Sequence, residues 1–191
     1  MSGRHGPSAL EGDDMPVYRT KPLPRGELTG TFLVTEPVVA ATRTALVSFA
    51  LAGIRDRGHE GIAYWAGREF GDCTVFLQAI VPRAEHSHGR VMVSREEIGR
   101  TQRRARECRL GVLCQVHSHP GSDARHSDGD DTLVLLPFEG MLSIVAPDFA
   151  IGLSSIYDVC VHQYQSGQWV LCSPESVAQH LVVVPAIQDL R

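Results

Sequence analysis

Two histidines and an aspartate are spaced so that they could hold one metal ion. His117 and His119 follow a predicted strand, and residues two apart on a strand point to the same face, so both imidazoles can reach the same ion. Asp130 comes eleven residues after His119. Ser127 suits a helix N-cap, which predicts Asp130 in the first helical turn, facing the histidines. Two neutral nitrogens and a carboxylate oxygen suit zinc with one coordination position left open.

Such a site would favour hydrolysis by water. Zinc lowers the pKa of a bound water from about 15.7 toward 7, so hydroxide becomes available at neutral pH. The reaction also needs a proton carrier and a hydrogen-bond donor for the developing oxyanion. Ser127 places a hydroxyl near the predicted metal. Glu60 is the best candidate for the carboxylate, and Glu69 is the fallback.

The spacing of these residues resembles the JAMM motif of the JAB/MPN-domain metalloproteases. That motif has an upstream glutamate, then His-Ser/Thr-His-Pro, seven residues, a serine, two residues and an aspartate. Seven residues separate His119 from Ser127 in this chain, and Asp130 follows after two more. Glu60 is followed seven positions later by Gly67, as in many members of the family. The resemblance covers roughly residues 38 to 165.

Two positions depart from the family pattern. His126 stands where proline often precedes the motif serine, and Ala63 stands where glycine is common three residues after the glutamate. Neither change removes a predicted metal ligand. The histidine at position 126 bears more on which substrate is bound than on whether the site is active.

The resemblance implies a role for each site residue and a fold for the whole chain. His117, His119 and Asp130 would bind one Zn²⁺ per chain. Glu60 would take a proton from the attacking water and pass it to the leaving amine. Ser127 would hydrogen-bond the tetrahedral intermediate. The implied fold is α+β, the JAB/MPN (cytidine-deaminase-like) α/β sandwich with a mixed, curved sheet flanked by helices.

The resemblance also implies an activity and partners. The expected enzyme is a zinc metalloprotease of deubiquitinase type, which hydrolyses a peptide or isopeptide bond after the C-terminal glycine of a ubiquitin-like protein. The expected partners are that protein or its conjugates, with activating and conjugating enzymes of the same pathway; some such bacterial systems serve antiviral defence. One alternative is the same chemistry on a sulfur-carrier protein in cysteine or cofactor synthesis. Another is a non-catalytic JAB/MPN scaffold.

Other motifs in the sequence are weaker. His86-Ser87-His88 has no following proline and is interpreted as a solvated loop. The order of ligands does not fit a non-haem iron oxygenase, and Asp123 replaces the glutamate expected of a cupin. The five cysteines are scattered without a C-x-x-C pair, which is typical of buried thiols rather than a disulfide framework.

The elements that must position the site follow from the hydrophobic pattern. A helix is predicted over 38–56, and a second from the Ser94–Glu97 capping box to about Cys108. Strands are predicted over the ranges 60–66, 73–81, 110–116, 141–146, 152–164 and 168–172, followed by a short helix starting at 173–175. This order predicts an α+β or α/β sandwich around a mixed sheet.

Length and charge set the remaining bounds. The 191 residues suit one domain, and 43% hydrophobic residues are typical of a globular chain. Glycine and proline crowd residues 1–27, which predicts a flexible arm before a single domain over 28–191. The net charge of −4 argues against nucleic acid. We find no secretion signal or membrane span, which favours a cytoplasmic location, and the basic residues, nearly all arginine, suggest a bacterial source.

Overall fold

The computed structural model describes residues 19–53, 55, 57–133 and 137–186. Four α-helices lie in this part of the chain: α1 (Glu36–Ala52), α2 (Arg95–Glu107), α3 (Asp128–Leu133) and α4 (Pro174–His180). Pro37 lies in the first turn of α1, where a missing N–H costs nothing. The Ser94 hydroxyl accepts a hydrogen bond from the Glu97 N–H at 3.2 Å, so the predicted cap of α2 is confirmed.

The described residues form eleven strands, of which nine make one mixed sheet. In chain order the eleven strands are β1 (Arg25–Gly26), β2 (Thr31–Thr35), β3 (Ile62–Phe70), β4 (Cys73–Ile80), β5 (Glu85–Ser87), β6 (Arg90–Met92), β7 (Gly111–Ser118), β8 (Leu142–Ala146), β9 (Cys160–Gln165), β10 (Gln168–Cys172) and β11 (Leu181–Val184). The sheet order is β1-β10-β9-β8-β7-β3-β4-β2-β11, and β5 and β6 form a separate hairpin. The α+β class with a curved mixed sheet and flanking helices is therefore confirmed.

The central strands carry both the core and the site. β7 pairs antiparallel with β3 and parallel with β8. α1 packs on β3 and β4, where Trp65 and Phe76 are fully buried with their rings 5.2 Å apart. The Trp65 indole N–H donates a hydrogen bond of 2.7 Å to the Thr42 hydroxyl of α1. This packing fixes the strands whose ends meet at the predicted metal ligands.

The first predicted strand begins and ends later than expected. A strand was predicted over 60–66 with Gly67 at its end, but β3 runs from Ile62 to Phe70 and passes through Gly67 at a β-bulge. A Cβ on Gly67 would lie 2.1 Å from the Val75 carbonyl oxygen, so glycine is required there by the close approach of β4 rather than by a turn.

The strand predicted over 152–164 is shorter in the structure, since β9 covers only Cys160–Gln165. The residues before it form a turn in which the Ser154 hydroxyl and the Ser155 N–H both donate to Asp158. Side chains that bond to the local backbone compete with strand pairing, which explains the late start. β2 and β11, which pair with each other in parallel, were not predicted from the hydrophobic pattern.

The division into an arm and a domain remains a prediction, and residues 1–18 lie outside the described part of the chain. Residues 25–26 of the predicted arm form β1, because the edge of β10 supplies backbone hydrogen bonds to Pro24 and Gly26 at 2.8 and 2.9 Å. Arg19 forms an ion pair of 2.7 Å with Asp131, and the Thr20 hydroxyl donates to Asp128 at 2.6 Å. The described end of the arm is thus attached to α3.

Candidate metal centre

Pairing between β3 and β7 brings Glu60 beside the histidines. Ile62 pairs with His117 in the antiparallel register, so the residues just before β3 lie opposite those just after β7. Ser118, the middle residue of the His-Ser-His motif, is fully buried and holds this junction. Its hydroxyl accepts the Gly61 N–H at 3.0 Å, and its own N–H donates to the Gly61 carbonyl at 3.1 Å. Glu60 is therefore placed next to His119.

The three predicted ligands meet in one cluster. The His117 and His119 Nε2 atoms are 3.2 Å apart. Asp130 Oδ1 lies 3.3 Å from His117 Nε2, and Asp130 Oδ2 lies 3.2 Å from His119 Nε2. Among the described residues, this is the group of three or more such side chains whose donor atoms converge closely enough to hold one ion.

These distances fit a tetrahedral zinc ion. Nitrogen and oxygen ligands about 2.0–2.1 Å from zinc lie about 3.3 Å apart in a tetrahedron. The three observed separations of 3.2 to 3.3 Å match one face of such a tetrahedron. The donor set of two imidazoles and one carboxylate leaves the fourth corner for another ligand, so the residues fit the predicted metal.

Hydrogen bonds at the far side of the rings orient the imidazoles. His119 Nδ1 lies 3.1 Å from the Asp123 carbonyl oxygen, which can only accept, so Nδ1 carries the proton and Nε2 offers a lone pair. His117 Nδ1 lies 3.5 Å from the side-chain amide of Gln115. The contact with the Asp123 carbonyl was not predicted, because it depends on how the loop after β7 folds back. Gln115 lies two residues before His117 on β7, so strand alternation could have predicted their contact.

Ser127 fixes the carboxylate of Asp130. Its hydroxyl donates to Asp130 Oδ2 at 2.8 Å, and its N–H donates to the same oxygen at 2.6 Å. The Asp130 N–H donates back to the Ser127 hydroxyl at 3.2 Å, which is the predicted N-cap of α3. Asp130 therefore lies in the first turn of α3 and faces the histidines, as the spacing predicted.

Glu60 is buried beside this cluster. Its N–H donates to the Ser87 carbonyl at 2.8 Å, so the β5–β6 hairpin holds its backbone. Burial raises the pKa of its carboxyl group to about 8, with His119 lowering it and Asp130 raising it further. A carboxyl group with that pKa exchanges a proton readily near neutral pH. Glu69, the fallback, is exposed on β3 and does not line the cleft.

The two histidines differ in electrostatic environment. Burial lowers the pKa of His117 despite the neighbouring carboxylate of Asp130. Burial also opposes protonation of His119, but its hydrogen bond to Asp130 and the charges of Asp130 and Glu60 outweigh that effect and raise its pKa. The two imidazoles hold the pKa of Asp130 well below its usual range against the effect of burial. The carboxylate is therefore ionised and able to bind a cation.

The His86-Ser87-His88 segment is more ordered than a solvated loop. It lies in the β5–β6 hairpin, and His86 Nδ1 is 2.9 Å from His59 Nδ1. The ring of His86 also packs edge-on against Phe49. The prediction of a loop was wrong here because it ignored these contacts, which involve residues distant in the sequence.

A large cleft opens over the cluster. Its volume is about 1320 Å³, and its walls include Glu60, His117, His119, Ser127 and Asp130. Apolar side chains of the hairpin and of α2, among them Met92 and Ile98, line another part, and residues 19–23 of the N-terminal segment form a further wall. The described lining includes no cysteine.

Comparison with known proteins agrees with the resemblance seen in the sequence. The family described as prokaryotic homologs of the JAB domain matches residues 41–155, which is more than half of the chain. The chain therefore belongs to this family. His117, His119 and Asp130, which the motif predicted as ligands, form a cluster that could hold a metal ion.

Individual relatives are more distant. The chain is 38% identical over 104 residues to a probable metalloprotease, y4jG, of Sinorhizobium fredii; this match covers 52% of the chain and 64% of that relative. The chain thus spans less than two thirds of the length of this relative.

Two solved structures also match this chain. Protein DSY2949 from Desulfitobacterium hafniense shares the fold with a TM-score of 0.57 and 14% identity, over 82% of this chain and 95% of that one. A JAB1/MPN domain protein from Archaeoglobus fulgidus matches with a TM-score of 0.42 and 16% identity, over 79% and 97% of the two chains.

Within the described residues, the helices are too short or too polar to cross a bilayer.

Proposed function

We propose that the protein is a zinc-dependent peptidase or isopeptidase that cleaves the bond after the C-terminal glycine of a ubiquitin-like protein. The observation that carries the proposal is the triangle of His117, His119 and Asp130 donor atoms, with sides of 3.2 to 3.3 Å. Membership of the JAB family and a relative named as a probable metalloprotease support the same class of chemistry.

The three side chains would hold the metal through two nitrogens and one oxygen. A zinc ion bound there would supply Lewis-acid chemistry, lowering the pKa of a water ligand and polarising the scissile carbonyl. The two imidazole nitrogens among three donors favour zinc over magnesium or calcium, which prefer oxygen ligands in larger numbers.

Glu60 would be the proton carrier. Its carboxyl group is buried beside His119 and has a pKa of about 8, close to the pH at which it must act. It would accept a proton from the attacking water and donate it to the leaving amine. Direct attack by water would form no covalent enzyme intermediate.

Ser127 would contribute a hydrogen bond to the oxyanion of the tetrahedral intermediate. In the structure its hydroxyl proton is donated to Asp130. A hydroxyl group turns easily about its C–O bond, so the same proton can be redirected to a substrate oxygen in the cleft that Ser127 lines. Ser127 would then both orient a metal ligand and assist the reaction.

The cleft supports a polypeptide substrate. Pockets for small molecules usually measure about 300–1,000 Å³, and this cleft of about 1320 Å³ is larger. An extended tail ending in glycine could reach the buried cluster because glycine adds no side chain to the space at the scissile bond. The same logic fits a sulfur-carrier protein, whose processing is the alternative substrate, and activating and conjugating enzymes would be pathway partners in either case.

Purified protein and a panel of substrates test the proposal. The panel holds ubiquitin-like proteins and sulfur-carrier proteins, each with a peptide fused after the terminal glycine or an amine joined to it through an isopeptide bond. Intact-mass measurement should show cleavage after the glycine by the wild type and none by Glu60→Gln. Cleavage elsewhere, or equal cleavage by both proteins, would contradict the mechanism. Zinc binding without any cleavage would favour the scaffold alternative.

A further inference from the structure

Two buried imidazoles stack on each other behind the metal cluster. The rings of His126 and His162 have centroids 3.9 Å apart and planes inclined by only 20°. Their exposed fractions are 1% and 0%, respectively. Buried polar rings are stable only when their nitrogens are hydrogen-bonded, and the partners of these two explain their position.

Hydrogen bonds assign the proton of His162. The main-chain N–H of His126 donates to His162 Nε2 at 3.2 Å, so Nε2 carries no proton. Nδ1 then carries it and donates to the Ser143 carbonyl at 3.3 Å. His162 is therefore neutral, in agreement with burial, which lowers its pKa well below the ordinary value. The His162 ring therefore accepts the hydrogen bond that fixes the backbone of His126.

The side chain of His126 connects two further elements. Its Nδ1 lies 3.0 Å from Asp131 Oδ1, and because the carboxylate accepts, Nδ1 is the donor. Its Nε2 lies 2.8 Å from the Ser143 hydroxyl, which can donate to it. One residue thus joins α3 through Asp131, β8 through Ser143, and β9 through its own backbone.

These contacts surround the turn that carries a metal ligand. Ser127 and Asp130 lie in the chain between His126 and Asp131, and both ends of that segment are held by the His126 ring or backbone. β8 pairs directly with β7, where Val145 is the partner of His117. The network therefore fixes the helix-borne ligand relative to the strand-borne ligands. A proline at position 126 would have neither the N–H nor the ring nitrogens to do so.

We propose that the His126–His162 pair positions the Ser127–Asp130 turn relative to β7 and so sets how tightly the cluster binds its metal ion, without contacting the ion. Both are positioning residues, since they hold the two ends of the turn that carries Asp130. This inference rests on the metal site of the proposed function but not on its substrate.

Zinc affinity of the metal-free protein tests the inference. His126→Phe and His162→Phe each keep an aromatic ring in the stack and remove the hydrogen bonds made by the substituted imidazole. Each should raise the dissociation constant for Zn²⁺, measured by competition with a chromophoric chelator, by up to about 10-fold. This is the lower end of the range of about 10–100-fold for loss of a direct partner of a metal ligand, because neither ring bonds to a proposed ligand. Ser143→Ala removes one hydrogen bond and should raise the constant less, which keeps the test valid if a Phe variant does not fold.

Thr42→Val is the matched control. Thr42 is also buried, accepts the Trp65 N–H at 2.7 Å, and does not line the cleft. This variant should lower the melting temperature of the metal-free protein without changing its zinc dissociation constant. The visible spectrum of bound Co²⁺ should change in His162→Phe and not in Thr42→Val, because it reports the coordination geometry rather than stability.

Two results separate the inference from the proposed function. If wild type binds zinc but the Phe variants and Ser143→Ala bind it as tightly as Thr42→Val, the pair only fills the core and the inference is wrong. If wild type and His119→Ala both fail to bind zinc, the metal site itself is wrong and the inference falls with it.

Discussion

The hydroxyl of Ser127 and the carboxylate of Asp130 are joined by a hydrogen bond of 2.8 Å, and the Asp130 N–H returns a bond of 3.2 Å to the same hydroxyl. A helix cap and a candidate metal ligand are therefore one local structure. The cap satisfies a free N–H of α3, and at the same time it turns the carboxylate toward the histidines. Folding of this short turn brings the third member into the His117, His119 and Asp130 cluster.

Ser127→Ala should weaken both folding and turnover. Loss of the cap is expected to lower the free energy of unfolding by about 1 kcal/mol. Loss of a donor to the oxyanion is expected to lower kcat by about 10²–10³-fold. Thermal melting and steady-state kinetics on a cleavable fusion measure the two effects. Full turnover with a lowered melting temperature would restrict Ser127 to the cap.

Glu60→Gln should keep the metal and lose turnover. Glutamine has nearly the shape of glutamic acid but cannot accept a proton, and general acid–base catalysis is typically worth about 10²–10⁴-fold. Metal content by mass spectrometry and kcat on the same preparation provide the check. Glu69→Gln is the matched control, because Glu69 is exposed and outside the cleft. Activity retained by Glu60→Gln would move the base to another residue.

Asp130→Ala should lose the metal, whereas Asp128→Ala should keep it. Both acids lie in the first turn of α3, but only Asp130 has oxygens 3.2 to 3.3 Å from the two histidine nitrogens. Asp128 accepts hydrogen bonds from Thr20 instead. Metal content after exhaustive dialysis distinguishes the variants. Equal zinc in Asp130→Ala and wild type would count against the assigned ligands.

Chelators should inactivate the protein and thiol-alkylating reagents should not. Cys114 and Cys172 are buried, and burial raises the pKa of both thiols, which leaves them unreactive. Cys108 is exposed at the end of α2 but does not line the cleft. Residual activity after each treatment, with zinc added back to the chelated sample, is the measurement. Inactivation by alkylation alone would favour cysteine chemistry.

Gly67→Ala should destabilise the fold strongly. The added Cβ would lie 2.1 Å from the Val75 carbonyl oxygen, so β3 and β4 would have to separate at the bulge. We expect a loss of about 2 kcal/mol or more in the free energy of unfolding. Gly99→Ala in α2 is the control and should stabilise by up to about 1 kcal/mol, since alanine favours a helix interior. Urea denaturation followed by circular dichroism compares the two.

The site was more predictable from the sequence than the strand boundaries were. Ligand spacing is local: His117 and His119 are two residues apart, and the Ser127 cap brings Asp130 back within one helical turn. The position of Glu60 depends instead on the β3–β7 register, which the sequence does not state. Glu60 could be named as the best candidate, and the family resemblance supported it, but its place beside the histidines could not be derived from the hydrophobic pattern.

The elements that were missed depend on partners far away in the chain. The edge of β10 makes a strand of Arg25–Gly26 despite the prolines nearby, and the β5–β6 hairpin is held against Glu60 and His59. His126 was noticed only as a departure from the motif. Its contacts with His162 and Ser143 could not be foreseen, because they link residues that are 36 and 17 positions away, respectively.

The attachment of Arg19 and Thr20 to α3 affects how the protein should be produced. A shortened version starting at residue 28 would lack both contacts as well as β1, and Asp131 would lose its guanidinium partner. Expression vectors should therefore retain Arg19 and Thr20, so that the contacts that hold α3 on this side are kept.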